Sequence, residues 1–411
     1  MKEIYEKIIF AGIVIYVISA TTFTSGQVAG VILALIGWIG RMIMTKRFEI
    51  TGTPLNMPIL LFIIALFLAT IFSPYPLESL SATESIIRKI ALYYLVVCGI
   101  KDLSMAKRLI AILLIAASIE AIYIICQYFW GFKLFGIIIH DGVSKGLIYN
   151  RALGGALGII LPVGISFFLF SQNFYRRIIF GLISLLISLL LLLTSTRGAW
   201  MGVAIAIGFI GIFKARKILL FIILVLILLF FISPKQTVNR SERLPDRLLS
   251  IFKYENNLCR MYLFRDTLKI IKDNPLFGIG PGNFKKVYYS KYLSSEISAL
   301  KEFGHKHCHN NFLNVAVEGG LLGLGAFIWL IIASFCLSFK ILKTAATEIF
   351  PLILGLFGGL ITWLVHGMVD CTYIGGSAYL FWFILGMIIL LGRAQGEQSL
   401  SGYFLAGRKK I

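Results

Sequence analysis

Residues 309–340 read HNNFLNVAVEGGLLGLGAFIWLIIASFCLSFK, and the fold follows from how that stretch divides. A polar start, His309-Asn310-Asn311, passes into an apolar run over 312 to 337 that ends before Lys340. At ~1.5 Å per residue, a helix of that length crosses a hydrocarbon core about 30 Å thick. Asn310 and Asn311 suit the helix start, where a side-chain oxygen can accept an orphan backbone N–H. Gly319 and Gly320 put small residues where a neighbouring helix can approach. Glu318 is an ionisable group inside a span, which makes it a functional candidate; a buried hydrogen bond to another helix is the structural alternative.

The rest of the chain repeats this pattern. It has 411 residues, of which 58% are hydrophobic and only 14% charged, with mean hydropathy +0.89. So many apolar runs cannot be hidden in one soluble core, and the expected fold is an all-α polytopic membrane protein. About twelve spans are expected, near 7–24, 27–45, 57–73, 86–101, 106–130, 152–171, 177–195, 198–213, 217–233, 312–337, 348–367 and 374–392. The implied organisation is transmembrane helices over 1–233, an extracytoplasmic loop domain over 234–311 between spans nine and ten, transmembrane helices over 312–392 and a tail over 393–411.

Charge orients these spans. The formal net charge of +20 sits in short clusters between apolar runs, a pattern of membrane orientation and not of nucleic-acid binding. With the N-terminus inside, Lys46-Arg47, Lys101, Lys107-Arg108, Arg176-Arg177, Lys214, Arg216-Lys217, Lys340, Lys343 and Arg408-Lys409-Lys410 are all cytoplasmic. The opposite short loops at 24–27, 73–85 and 370–376 contain no Lys or Arg. Arg88-Lys89, near the expected outer end of the fourth span, strains this layout and points to a misplaced boundary. The first span, which no small-residue cleavage site follows, reads as a retained signal anchor.

Residues 234–309 are too long and too polar for an ordinary connection. Apolar spacing at Met261, Phe264, Leu268 and Ile271 predicts a helix there. The basic residues of the segment, among them Arg240, Arg243, Arg247, Arg260, Arg265, Lys285 and Lys286, outnumber its acids. A cationic cap over the membrane suits an anionic ligand; attraction to headgroups is the plainer account. All five histidines, His140, His305, His307, His309 and His366, fall on the outer side in this topology. The run Gly304-His305-Lys306-His307-Cys308-His309 invites a metal, yet its spacing matches no common zinc pattern and no acidic residue adjoins it, so neither a metal nor a cofactor is expected. A neutral imidazole with an ordinary pKa of about 6.5 suits general-base work better.

An anionic ligand is best met by arginines, whose fork stays charged and donates bidentate hydrogen bonds. Arg197, in the turn Thr194-Ser195-Thr196-Arg197-Gly198-Ala199-Trp200, and Arg260 are the strongest candidates. Snorkelling to headgroups is the alternative for Arg197 and a surface ion pair for Arg260. Arg151, at the start of the sixth span, is a third, with function and anchoring evenly matched. The stretch Asn274-Pro275-Leu276-Phe277-Gly278-Ile279-Gly280-Pro281-Gly282-Asn283-Phe284 lacks the lysine and hydroxyl of a phosphate-binding loop and is not a dinucleotide turn. It reads as the point where the chain turns back towards the membrane.

Taken together, Arg197-Gly198, Arg260 followed by Pro275 to Gly282, and His309-Asn310 before a glycine-rich helix resemble the O-antigen ligase family and its related polysaccharide polymerases. The resemblance covers about Thr194 to Gly325, with His366, Val369 and Asp370 similar to a weaker late feature; the first half agrees only in hydropathy. Phe264 stands where family members often have Trp, which keeps an aromatic. The resemblance implies a metal-independent, inverting glycosyltransferase acting on an undecaprenyl-diphosphate-linked glycan at the outer face of the inner membrane. Arg197 and Arg260 would neutralise the diphosphate, and His309 would activate or position the acceptor hydroxyl. Arg151, Asn310 and Glu318 join Arg197 and Arg260 as candidate substrate contacts. The motifs look closest to the ligase branch, whose acceptor is lipid A core; the polymerase branch, which joins lipid-linked repeats, is the alternative. A transporter of lipid-linked sugars is the reading from another class, though no internal repeat supports it. A disulfide between Cys259 and Cys308 would tie Arg260 to His309.

Overall fold

The computed structural model describes residues 2–47, 50–131, 151–194, 196–213, 254–293 and 306–395. Every regular element among them is helical. The first group comprises α1 (Lys2–Ser19), α2 (Thr24–Thr45), α3 (Asn56–Ile71), α4 (Pro76–Gly99) and α5 (Leu103–Trp130). After them come α6 (Arg151–Phe170), α7 (Phe174–Leu193) and α8 (Arg197–Ile212). A less apolar segment holds α9 (Tyr254–Asp273) and the short α10 (Phe284–Val287), which runs into a π turn at Tyr288–Tyr292. The chain then forms α11 (Asn311–Lys343), α12 (Phe350–Gly367) and α13 (Gly376–Gln395).

Among the described residues, seven helices, α2, α5, α6, α7, α11, α12 and α13, are long and apolar enough to cross a membrane, and α3 and α8 are shorter apolar helices. Each of the expected spans on described residues overlaps a helix, with bounds that differ by several residues at the first and fourth; the ninth, 217–233, lies outside them, as do Arg240, Arg243 and Arg247 and the tail beyond 395. Side-chain caps start three helices: Asp102 accepts from Met105 N–H at 2.8 Å, Asn173 from Arg176 N–H at 3.1 Å and Asn310 from Leu313 N–H at 3.0 Å. α12 packs between α6 and α8, and α13 is buried along nearly its whole length.

Two local expectations need correcting. The fourth helix starts at Pro76, ten residues before the expected 86, because Pro at the first turn loses no intrahelical bond. Arg88 and Lys89 therefore lie well inside α4, where Arg88 pairs with Glu84 at 2.9 Å and Lys89 donates to Ser85 Oγ at 2.7 Å. On α9 the buried stripe is Leu263, Asp266, Thr267 and Ile270, while Met261 and Leu268 are exposed. The face was misread by one step of the helical wheel, since Asp266 and Thr267 are polar yet buried.

The feature that positions the site is a break in α11. At Gly320 the backbone leaves the helix, with φ 65° and ψ −168°, a conformation open essentially to glycine alone. The Pro275–Gly282 loop fills the gap. Ile279 N–H donates to Val317 O at 2.9 Å and Gly280 N–H to Glu318 O at 3.0 Å, while Leu321 N–H donates to Pro275 O at 2.8 Å. Orphaned groups on both sides of the break are thus paired by the loop, as low-dielectric surroundings require. Any side chain at Gly278 or Gly320 would collide with the opposing backbone. Asn283 fixes the far end of the loop, donating to Ser73 Oγ and Ser79 Oγ at 2.8 Å each. A separate small core of Leu263, Ile270, Ile279, Phe284, Val287, Tyr288, Cys308 and Val317 ties α9 and α10 to the start of α11.

Candidate functional site

His309 lies just before α11, held at φ 55°, a left-handed conformation uncommon for residues other than glycine. Its Nδ1 is 2.9 Å from Oδ1 of Asp370, in the link between α12 and α13. Both side chains are largely buried, at 13% and 16% exposure. The second carboxylate oxygen, Oδ2, faces His366 Nε2 at 3.8 Å. The Cys371 backbone N–H also donates to Asp370 Oδ1 at 2.9 Å. Burial works to raise the Asp370 pKa, but the hydrogen bond and charge of His309, the charge of His366 and the Cys371 N–H outweigh it and hold the carboxyl well below the usual range. The group is therefore an anion, suited to accept a proton-bearing Nδ1. In that tautomer the lone pair of His309 is on Nε2.

The turn carrying Arg197 packs against the same cluster. Gly198, next to Arg197 at the start of α8, lies so close to α12 that an added Cβ would sit 2.6 Å from His366 Cδ2 and 2.6 Å from Val369 Cγ2. The first turn of α6 closes in from another side: a Cβ on Gly155 would be 3.2 Å from His366 Cε1. Arg151 is the first residue of that helix, and its side chain lies outside the described set. Arg197 is itself partly buried. Three separate helix ends thus meet around His366 and Asp370.

A polar seam fixes His309 relative to this cluster. Asn310, Asn314 and Glu318, spaced four apart, form one helical stripe with Asn311 beside it. Asn310 Nδ2 donates to Met368 O at 2.9 Å. Asn311 donates to Thr372 Oγ1 at 2.9 Å and accepts Thr372 N–H at 2.7 Å. Asn314 Nδ2 donates to the Tyr373 hydroxyl at 2.9 Å, and that hydroxyl donates to Glu318 Oε2 at 2.8 Å. The Glu318 backbone carbonyl accepts the Gly280 N–H at 3.0 Å. Glu318 thus joins the seam to the glycine loop.

Arg260 lies on α9, which packs against α11. It is partly buried, and Leu263, one turn on, shares the small core that contains Cys308. Cys308 is a buried free thiol whose pKa burial pushes up, so it is not a reactive thiolate. Cys259 has its side chain outside the described set.

Asp370 escaped the sequence reading as a site residue, although it is the sole acid between α12 and α13 and stands four residues after His366. It also supplies the acidic neighbour that the histidine run lacked. His307, His309 and Asp370 each offer a ligand atom, all within 4.8 Å of one another, and are the group among the described residues whose donors could hold a metal.

Residues 182–328 match the family model described as O-antigen ligase. The matched stretch holds Arg197, Arg260, the glycine loop, His309 and Glu318, the residues whose motifs resemble that family. An uncharacterized protein of Haemophilus influenzae is 23% identical over 201 residues, covering 46% of this chain and 50% of the relative. The chain thus spans about half the length of that curated relative.

Proposed function

We propose that this chain, which matches the O-antigen ligase family model over residues 182–328, is a metal-independent, inverting glycosyltransferase of the ligase type. It moves a glycan from an undecaprenyl-diphosphate carrier to a hydroxyl of lipid A core. The observation that carries the reading is the His309–Asp370 pair at 2.9 Å, with the Arg197 turn packed on the other side of Asp370 through Gly198 and His366. A base and a cation for a leaving anion are what such a transfer needs.

Asp370 accepts Nδ1–H of His309 and keeps the lone pair on Nε2, which takes the proton of the acceptor hydroxyl. The hydroxyl oxygen attacks the anomeric carbon as the bond to the diphosphate oxygen breaks on the opposite face. The electron pair leaves with the carrier diphosphate, whose charge Arg197 and Arg260 meet. Arg151 is a further contact for the carrier, and Asn310 and Glu318 position the base by holding α11 to the 368–373 loop. The distribution of Lys and Arg supports a bacterial cytoplasmic membrane location with both termini cytoplasmic and the site on the extracytoplasmic face. In that layout 234–311 is the external loop domain, between transmembrane parts at 1–233 and 312–392, and 393–411 is a cytoplasmic tail.

The test is transfer by purified protein of a defined undecaprenyl-diphosphate glycan in EDTA, offered lipid A core and a second lipid-linked repeat. Glycan on lipid A core is expected. Elongated lipid-linked chains would make it a polymerase, and carrier flipped without a covalent product would make it a transporter.

A further inference from the structure

We propose that His307, His309 and Asp370 form an inhibitory site for a zinc-class divalent ion. Two imidazoles and a carboxylate are a donor set that zinc accepts, with water completing the tetrahedron. Bonds of about 2.0–2.1 Å in a tetrahedron hold ligand atoms about 3.3 Å apart. The three ligand atoms here lie within 4.8 Å of one another, close to that spacing. One pair is already in place, with His309 Nδ1 2.9 Å from Asp370 Oδ1. His307 completes the set because the left-handed backbone at His309 folds the 307–309 turn onto itself and brings the two rings to 4.5 Å between centroids. His307 is partly exposed, which gives an ion entry, while His309 and Asp370 are largely buried, which strengthens the charge interaction.

The consequence rests on the function proposed above. A metal on Nδ1 of His309 replaces the proton shared with Asp370 and moves the ring proton to Nε2, so the imidazole can no longer accept a proton from a hydroxyl. An enzyme that needs no metal would then be switched off by one. His307 has no role in the transfer itself, so it separates binding from catalysis.

The experiment uses the full chain, purified without a polyhistidine tag. Co²⁺ is titrated in as a visible ligand-field probe and displaced with Zn²⁺, and glycan transfer is followed in parallel. The unaltered chain should bind one Co²⁺, lose transfer as Zn²⁺ is added and recover it with EDTA. His307→Ala and, as a conservative second variant, His307→Gln should transfer glycan normally without zinc yet need about tenfold more of either ion. No Co²⁺ site in the unaltered chain, or binding that survives both substitutions, overturns the site. Binding through His307 with transfer indifferent to Zn²⁺ overturns the inhibition. A chain that binds Co²⁺ through His307 but transfers no glycan upholds the site and counts against the transferase instead.

Discussion

The first turns of α11 are gripped at two places by different means. From Asn310 to Glu318 the grip is made by side chains reaching into the 368–373 loop. At Gly320 it is made by the backbone, spliced to Pro275, Ile279 and Gly280. The seam is a set of separate bonds, each removable at a local cost. The splice depends on the absence of side chains, so a single added carbon on either strand pushes the two backbones apart. Both hold the same short stretch that begins at His309, one sets its distance from Asp370 and the other its depth against the glycine loop.

This contrast can be broken most severely at Gly320. Gly320→Ala should cost at least about 3 kcal/mol, from the forbidden backbone geometry and the clash with Leu276 together. The expected result is a large fall in thermal midpoint or in yield of monodisperse protein; normal stability would refute the splice. Next comes Asp370→Asn, which leaves the fold standing but offers His309 a neutral partner. Transfer should drop about 10²-fold, the cost of a misplaced catalytic group, with donor binding retained. Removing one seam bond is milder still. Asn314→Ala and Tyr373→Phe should each lower stability by about 1–3 kcal/mol, because each leaves a buried polar partner unmet. Their double variant should lose less than the sum, since both act on one chain of bonds ending at Glu318. Gly319→Ala should do almost nothing, a change within about 1 kcal/mol in the stabilising direction, because the position is helical and open space surrounds it. Neighbouring glycines with opposite tolerances would sharpen the difference between splice and helix.

Much of this could be read in the amino-acid order. Apolar runs located the helices, since length and hydropathy are local properties, and the Asn310 cap and the glycine-rich segments were visible as motifs. The motifs did not reveal that they interlock. Pro275 to Gly282 read as a turn, and Gly320 as a packing residue, because a backbone pairing between distant segments leaves no periodic trace. Asp370 was noted only within a weaker late feature and not as a site residue, for the same reason: its hydrogen bond to His309 spans 61 residues, and a lone acid in a short loop looks like an ordinary solvated one. On α9 the polar residues Asp266 and Thr267 mask the buried face. On α4 the helical turns before Ile86 are too polar to register as part of a span, although Pro76 announces where they begin.

The most direct measurement is glycan transfer by His309→Ala, made alongside binding of the undecaprenyl-diphosphate donor by the same preparation. Loss of transfer by about 10²- to 10⁴-fold with donor affinity kept is the result expected of a base paired with Asp370 beside a separate diphosphate contact. Transfer at the rate of the unaltered protein would contradict it.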